Sequence, residues 1–264
     1  MKTQSISLLK DKMRVRITKS VILIIIANVV FAILTYILFS ISKIELQSYL
    51  GTYPTYSDHF HYYQLFTFMF IHSANPIHII SNIVFVLIFA PCYEQKFGGK
   101  KLIFTYFICA WSGYLLINIA YYHNKEVIES SILKVGINPN EMKIDNNHKV
   151  NEIYLEKLSS HQSNVVRNYN HVTSRTFGAS GALFGFVVLY LFMNFKTIRK
   201  IPFIVLGLFL IYNNVYDSLH YQEFQNGLNA SSFAHYGGMI GGVVIFFFDR
   251  HMTKRHNNHY SSRI

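Results

Sequence analysis

Four polar residues of the chain have side chains that together could catalyse the hydrolysis of a peptide bond. A serine hydroxyl becomes a useful nucleophile only when a base accepts its proton, and histidine is the usual base near neutral pH. Ser180 and His235 supply that pair. His78 and Asn82 are spaced i and i+4, so on a helix they project from one face, and both side chains can donate hydrogen bonds to a developing oxyanion.

The acids of the chain are not placed to orient His235. Asp217 and Glu223 fall in a predicted loop, so the sequence predicts a Ser-His dyad rather than a Ser-His-Asp triad. Each residue alone also has an ordinary structural explanation. A serine in a membrane helix usually bonds its own i−4 carbonyl, and a histidine there can simply link two helices. Only the joint placement of Ser180 and His235 favours a site.

The elements that must position these residues are predicted membrane spans. Hydrophobic residues make up 51% of the chain and charged residues 14%, and the mean hydropathy is +0.24, outside the usual composition of soluble domains. Four apolar runs are long enough to cross about 30 Å of hydrocarbon as helices. Two shorter runs are also counted as spans, because a soluble domain of this size could not bury six apolar helices in its core. The six predicted spans are Val21–Ile41, Ile77–Tyr93, Leu102–Tyr122, Phe177–Phe195, Ile201–Tyr216 and Phe233–Phe248.

The basic residues predict the orientation of these spans. Of the 24 Lys and Arg residues, 16 lie in segments 1–20, 94–101, 196–200 and 249–264, together with only three of the 13 acids. Basic residues accumulate in short cytoplasmic loops, so both termini are predicted to be cytoplasmic, and nucleic-acid binding is not needed to explain the net charge. The even-numbered spans then run inward from outside. The four polar residues lie near the starts of those spans, so we expect them at one depth near the outer surface.

Small residues predict close contact between the fourth and sixth spans. Gly181 and Gly185 form a GxxxG pattern, and Ala234, Gly238 and Gly242 form a similar stripe beginning beside His235. Phe184 follows Ser180 by four residues, where its ring could stack on the imidazole.

The chain is predicted to have one membrane domain with flanking basic segments. Residues 1–20 form a cytoplasmic N-terminal segment, 21–250 the six-span domain, and 251–264 a cytoplasmic tail. A polar insertion at about 123–175 separates spans 3 and 4, and either a short surface helix near 150–158 or partial disorder fits its composition. Its scattered histidines predict no metal site. The tyrosine-rich first loop is expected to rest at the membrane interface.

These motifs resemble those of the rhomboid intramembrane serine proteases. The GxSG motif is Gly178-Ala179-Ser180-Gly181, and Ala234-His235 followed by Gly238 and Gly242 matches the pattern of the last helix. The resemblance implies that Ser180 is the nucleophile, His235 the general base, and His78 with Asn82 the oxyanion donors. It further implies supporting roles for Gly178, Gly181, Phe184, Ala234, Gly238 and Gly242, an accessory position for His72, and a turn at Glu94 and Gly98. The first-loop Trp-Arg pair of some rhomboids is absent, so the loop must be anchored differently.

The expected fold is an all-α membrane protein with a six-transmembrane-helix, rhomboid-like bundle. The expected function is that of an intramembrane serine endopeptidase, which hydrolyses peptide bonds in or beside transmembrane segments of protein substrates through an acyl-enzyme. It needs the lipid bilayer but no metal, organic cofactor or nucleic acid, and a bacterial inner membrane is the expected location. The alternatives are an inactive rhomboid-like binder or chaperone of transmembrane clients, and a small transporter or channel, which would need a polar path through the bundle.

Overall fold

The computed structural model describes residues 17–73, 75–138, 142, 150, 152–173, 175–197, 200–225 and 230–261. Within these ranges the regular elements are helices, apart from one isolated bridge between Thr52 and Thr176. In chain order they are α1 (Lys19–Ser42), α2 (Leu46–Leu50), α3 (Gln64–Thr67), a 3₁₀ turn (Phe68–Phe70), α4 (Pro76–Phe97), α5 (Gly99–Lys134), α6 (Glu152–Leu155), α7 (Ser160–Thr173), α8 (Ser180–Asn194), α9 (Ile201–Gln225) and α10 (Ala230–Ser261). The all-α prediction is confirmed for this part of the chain.

Five of the described helices are long and apolar enough to cross a membrane. They correspond to the first, second, third, fifth and sixth predicted spans. The fourth, α8, has 15 residues, which at 1.5 Å per residue extends about 22 Å, less than the roughly 30 Å of hydrocarbon. The count of six spans therefore stays a prediction.

Helix α8 lies at the centre of the bundle. Almost all of its residues are buried, and it packs against α4, α5, α9 and α10. Because protein surrounds this helix, it need not match the full thickness of the bilayer. The predicted span Phe177–Phe195 began too early, since the helix starts at Ser180 and the preceding Gly178 has φ +119°. This is a left-handed conformation that glycine adopts without strain.

The junction between α4 and α5 also supports the start of α1. Glu94 accepts hydrogen bonds from the backbone N–H groups of Ser20 and Val21, both at 3.1 Å, and from the Thr18 hydroxyl. Those N–H groups belong to the first turn of α1 and have no partner within the helix. Gly98, with φ +86°, turns the chain into α5. The predicted turn at Glu94 and Gly98 thus joins three helices.

The first loop is anchored by side chains of α5. Trp111 Nε1 donates to the carbonyl of Leu65 at 2.8 Å, and Tyr114 donates to the carbonyl of Tyr53 at 2.9 Å. The first loop is therefore anchored by donors outside the loop itself, on α5. The prediction of an interfacial loop needs correction for Tyr53, which is 2% exposed within the protein, whereas Tyr62 is 80% exposed.

The insertion between α5 and α8 has a small hydrophobic core of its own. Helix α5 continues to Lys134, well beyond the predicted end at Tyr122, and α7 packs against it. The buried residues of this core are Ile132, Ile137, Met142, Val150, Leu155 and Val166. The short helix predicted near 150–158 is α6. Residues 1–16 and 262–264 of the predicted terminal segments, and His148 of the insertion, lie outside the described residues.

Candidate active site

The segment that leads into Ser180 is fastened to the first loop. Thr52 and Thr176 exchange backbone hydrogen bonds of 2.9 and 2.7 Å, and the N–H of Gly178 donates to the carbonyl of Phe68 at 2.9 Å. Arg175 and Glu45 form an ion pair of 2.5 Å. The backbone is therefore held on both sides of residue 177, and Ser180 follows as the first residue of α8.

Gly178 lies beside both the hydroxyl of Ser180 and the imidazole of His78. A Cβ atom built on this glycine would lie 3.9 Å from Ser180 Oγ and 3.7 Å from His78 Nε2. Both polar groups therefore border the same small volume beside the Gly178 backbone. A side chain at this position would enter the space between them, in addition to being strained at positive φ.

Helices α8 and α10 meet along the predicted stripes of small residues. A Cβ on Gly181 would lie 3.2 Å from the carbonyl oxygen of Ala234, and one on Gly242 would lie 2.5 Å from that of Gly185. A Cβ on Gly238 would overlap the carbonyl oxygen of Gly181. The predicted close approach is confirmed, and because Gly181 and Ala234 touch, their neighbours Ser180 and His235 lie on adjoining parts of the two helices.

The imidazole of His235 is held on its face and at one edge. Phe184 stacks on it with ring centroids 4.1 Å apart and planes inclined by 18°, which confirms the predicted contact. Nδ1 lies 2.6 Å from Oδ1 of Asn214 on α9. Nε2 is buried and has no hydrogen-bond partner. Nε2 of His235 therefore makes no hydrogen bond to Ser180 in the described structure, and catalytic hydrogen bonds are often loose when no substrate is bound.

His78 and Asn82 lie in the first two turns of α4, which begins with Pro76 after the N-cap Asn75. His78 Nδ1 lies 3.3 Å from the hydroxyl of Ser73. Asn82 is 4% exposed, and its Nδ2 has no hydrogen-bond partner. A buried amide donor without a partner is unfavourable in a folded protein, so its presence here needs an explanation.

His72 is a buried neighbour of this pair. Its ring is 0% exposed and lies 5.3 Å from the ring of His78, and Nδ1 lies 3.0 Å from the carbonyl oxygen of Phe70. Burial, with a smaller contribution from His78, lowers the pKa of His72 to about 4. His72 is thus a neutral residue that packs behind His78.

A cavity of about 360 Å³ opens beside Ser180. Its lining includes Ser180, His78, Gly178, Ala234 and Arg175. The imidazole of His235 and the amide of Asn82 are not part of this lining. The cavity has room for a short stretch of extended peptide.

Asn214 is the site residue that the sequence reasoning missed. The sequence prediction of a dyad rested on the absence of a suitable acid near His235. An amide oxygen, however, can accept the same hydrogen bond. A signal was present, because Asn214 is a polar residue near the outer end of the predicted span Ile201–Tyr216. Its buried position, 6% exposed, could have been suspected from the high cost of polar groups in a membrane.

The described structure is thus an all-helical membrane protein with a serine and a histidine on two tightly packed helices. The family model for the rhomboid domain matches residues 59–137 and 151–251. The chain is also 29% identical over 101 residues to Rhomboid-like protease 3 of Toxoplasma gondii, a match that spans 37% of this chain and 38% of that protein. No solved structure matches the chain.

Because the family model covers most of the sequence, the chain belongs to the rhomboid family. The matched ranges include His78, Asn82, Ser180, Asn214 and His235.

Proposed function

We propose that this protein is an intramembrane serine endopeptidase that cuts peptide bonds in or beside the transmembrane segments of other membrane proteins. The observation that supports the proposal is that Ser180 borders a cavity and that the next residue, Gly181, packs against Ala234, the residue before His235. A protein that only bound transmembrane clients would need neither a nucleophile nor a base at this position.

The reaction follows from the roles of the two residues. Ser180 Oγ attacks the carbonyl carbon of the scissile bond, and its proton passes to Nε2 of His235, which has no other partner. The tetrahedral intermediate then collapses, the C–N bond breaks, and His235 returns the proton to the leaving amine. Water attacks the resulting acyl-enzyme by the same route, and the hydroxyl of Ser180 is restored.

The negative oxygen of the tetrahedral intermediate needs fixed donors. The amide of Asn82 has an unused Nδ2, and His78 lies across Gly178 from the nucleophile. A third donor is the backbone N–H of Ser180, which as the first residue of α8 lacks a partner within the helix. An unpaired donor such as Asn82 is explained if its partner is present only during the reaction.

The membrane setting defines the substrate class. The proposed substrates are proteins whose transmembrane helix can unwind near the non-cytoplasmic surface, because an intact helix hides its carbonyls in backbone hydrogen bonds. The proposed arrangement has both termini in the cytoplasm and the site toward the other side, in a bacterial inner membrane. It includes six spans, with α8 as the short fourth span, and flanking basic segments at 1–20 and 251–264.

The test is cleavage of a model single-span substrate in proteoliposomes. Wild type should produce two fragments, and Ser180→Ala and His235→Ala should each reduce the rate by at least about 1000-fold. Ser131→Ala is the matched control, because the hydroxyl of this exposed serine bonds the carbonyl of Val127 within its own helix. Substrate that binds equally to all four proteins but is cut by none would contradict the proposal and favour a non-catalytic client binder.

A further inference from the structure

The geometry points to Asn214 as the residue that orients His235, so that the dyad works as a Ser-His-Asn arrangement assembled from α8, α10 and α9. The observation is the 2.6 Å contact between Asn214 Oδ1 and His235 Nδ1. This inference rests on the proposed function, and it assigns Asn214 a positioning role rather than contact with the substrate.

The contact selects one tautomer of the imidazole. An amide oxygen can only accept, so Nδ1 must carry the proton when it faces Oδ1. Neutral His235 then has an unprotonated Nε2, which is the form that can accept the proton of Ser180. If the amide were turned the other way, its NH₂ group would donate to Nδ1. Nε2 would then be protonated and unable to act as a base.

The contact also limits how the ring can rotate. Phe184 stacks on one face of the imidazole and so opposes its tilt about the Cβ–Cγ bond, whereas stacking alone does little to oppose sliding of the ring in its own plane through a change of χ1. A hydrogen bond at Nδ1 fixes that second motion. Two constraints from two different helices therefore direct Nε2 of His235, and neither constraint uses an ionised group.

The chemistry of the membrane favours an amide over a carboxylate in this place. Asn214 is 6% exposed and its helix is one of the apolar spans. A buried carboxylate would need a compensating charge, whereas an amide needs only hydrogen bonds. Nδ2 of Asn214 has no hydrogen-bond partner, so the contact of Oδ1 with His235 is the hydrogen bond that this amide makes in the described structure.

The experiment compares Asn214→Leu, Asn214→Asp and wild type. Leucine has a similar size but no acceptor, and aspartate keeps an acceptor at the same position. Asn194→Leu is the matched control, because Asn194 is similarly buried, at 7% exposed, and bonds the carbonyl of Tyr190 at the other end of α8.

We expect Asn214→Leu to lower kcat by about 10- to 100-fold, part of the 10²- to 10⁴-fold that general base catalysis supplies, with KM changed by less than about twofold. Asn214→Asp should lose clearly less kcat than Asn214→Leu, because it keeps an acceptor at the same position, although the burial of its carboxyl costs part of that benefit. The labelling rate with a fluorophosphonate should follow kcat.

The Asn194→Leu control should leave both kinetic constants unchanged. An unchanged kcat in Asn214→Leu, or equal losses in the leucine and aspartate variants, would overturn the positioning role.

The tautomer provides a readout that does not depend on cleavage. Nitrogen-15 NMR of histidine-labelled protein, with His235 assigned by the signal lost in His235→Ala, should show a protonated Nδ1 and a free Nε2 in wild type. A protonated Nε2 in wild type would overturn the inference even if Ser180 is active. If wild type cuts no substrate but shows the expected tautomer, the proposed function fails while the role of Asn214 in orienting the ring stands.

Discussion

At the scale of single residues, the site contains a buried donor with no partner. Asn82 places an unpaired amide two turns into α4. If this amide serves the oxyanion, it contributes to the reaction and not to the folded state, because an unsatisfied buried donor is destabilising.

Replacing Asn82 by leucine should therefore separate activity from stability. We expect Asn82→Leu to lower kcat by roughly 100-fold, as for the loss of one oxyanion donor, without lowering the thermal unfolding midpoint. Peptide cleavage and thermal unfolding in detergent measure the two quantities. Ser81→Ala is the control, since this hydroxyl bonds the carbonyl of His78 within its own helix. A parallel fall of activity and midpoint in Asn82→Leu would assign Asn82 a structural role.

His72 should make the folded state sensitive to acid. The folded protein keeps His72 neutral down to its pKa of about 4, whereas the unfolded chain takes up this proton near pH 6.5. The free energy of unfolding should thus fall as the pH drops from about 6.5 to about 4, by up to about 2 kcal/mol at pH 5. His72→Leu removes this loss, so its thermal midpoint should change less between pH 7 and pH 5 than that of wild type.

The control for this acid sensitivity is another histidine of the same loop. His61 is exposed, so His61→Leu measures what the loss of a histidine from this loop does to the midpoint when the side chain is not buried. Equal changes in wild type and His72→Leu would contradict the account of His72 as a buried neutral residue.

At the scale of elements, the contact between α8 and α10 sets the distance between nucleophile and base. Gly238→Ala places a methyl group against the carbonyl oxygen of Gly181, which forces the helices apart. We expect a loss of about 1–3 kcal/mol in the free energy of unfolding and a strong loss of cleavage. Thermal unfolding and the cleavage assay measure the two effects.

Gly207→Ala on α9 is the matched substitution for this helix contact. Its new methyl group would meet only flexible side-chain atoms of Leu191 and Val187, at 3.2 and 3.3 Å. Stability and cleavage should stay near wild type, because side chains can shift where a backbone carbonyl cannot. Similar losses of stability and cleavage in Gly207→Ala and Gly238→Ala would argue against the backbone contact at Gly238 as the cause of its effect.

The elements also show what a sequence can and cannot predict. The apolar runs predicted five of the long helices, and the small residues predicted the α8 and α10 contact, because both signals are local patterns. The predicted start of the fourth span was wrong, because the hydropathy of Phe177 does not reveal the positive φ of the next residue. Asn214 was missed because only an acid was expected beside His235, and because an apolar span does not specify which side of its helix faces that residue.

At the scale of the whole molecule, the distribution of basic residues predicts which surface carries the site. Tyr62 in the first loop and Lys196 after α8 are both exposed and should lie on opposite sides of the membrane. Tyr62→Cys should react with an impermeant maleimide added to intact cells, and Lys196→Cys should react only after lysis. Cys92→Ser with Cys109→Ala provides the cysteine-free background. The reverse pattern of labelling would contradict the proposed orientation.

The central claim is that Ser180 is a nucleophile activated by His235. The most direct measurement is mass spectrometry of the wild-type protein after reaction with a fluorophosphonate, with His235→Ala treated in the same way. We expect a single phosphonylated residue in wild type, Ser180, and a labelling rate at least about 100-fold lower in His235→Ala. An adduct on another residue, or labelling of Ser180 that proceeds equally fast without His235, would contradict it.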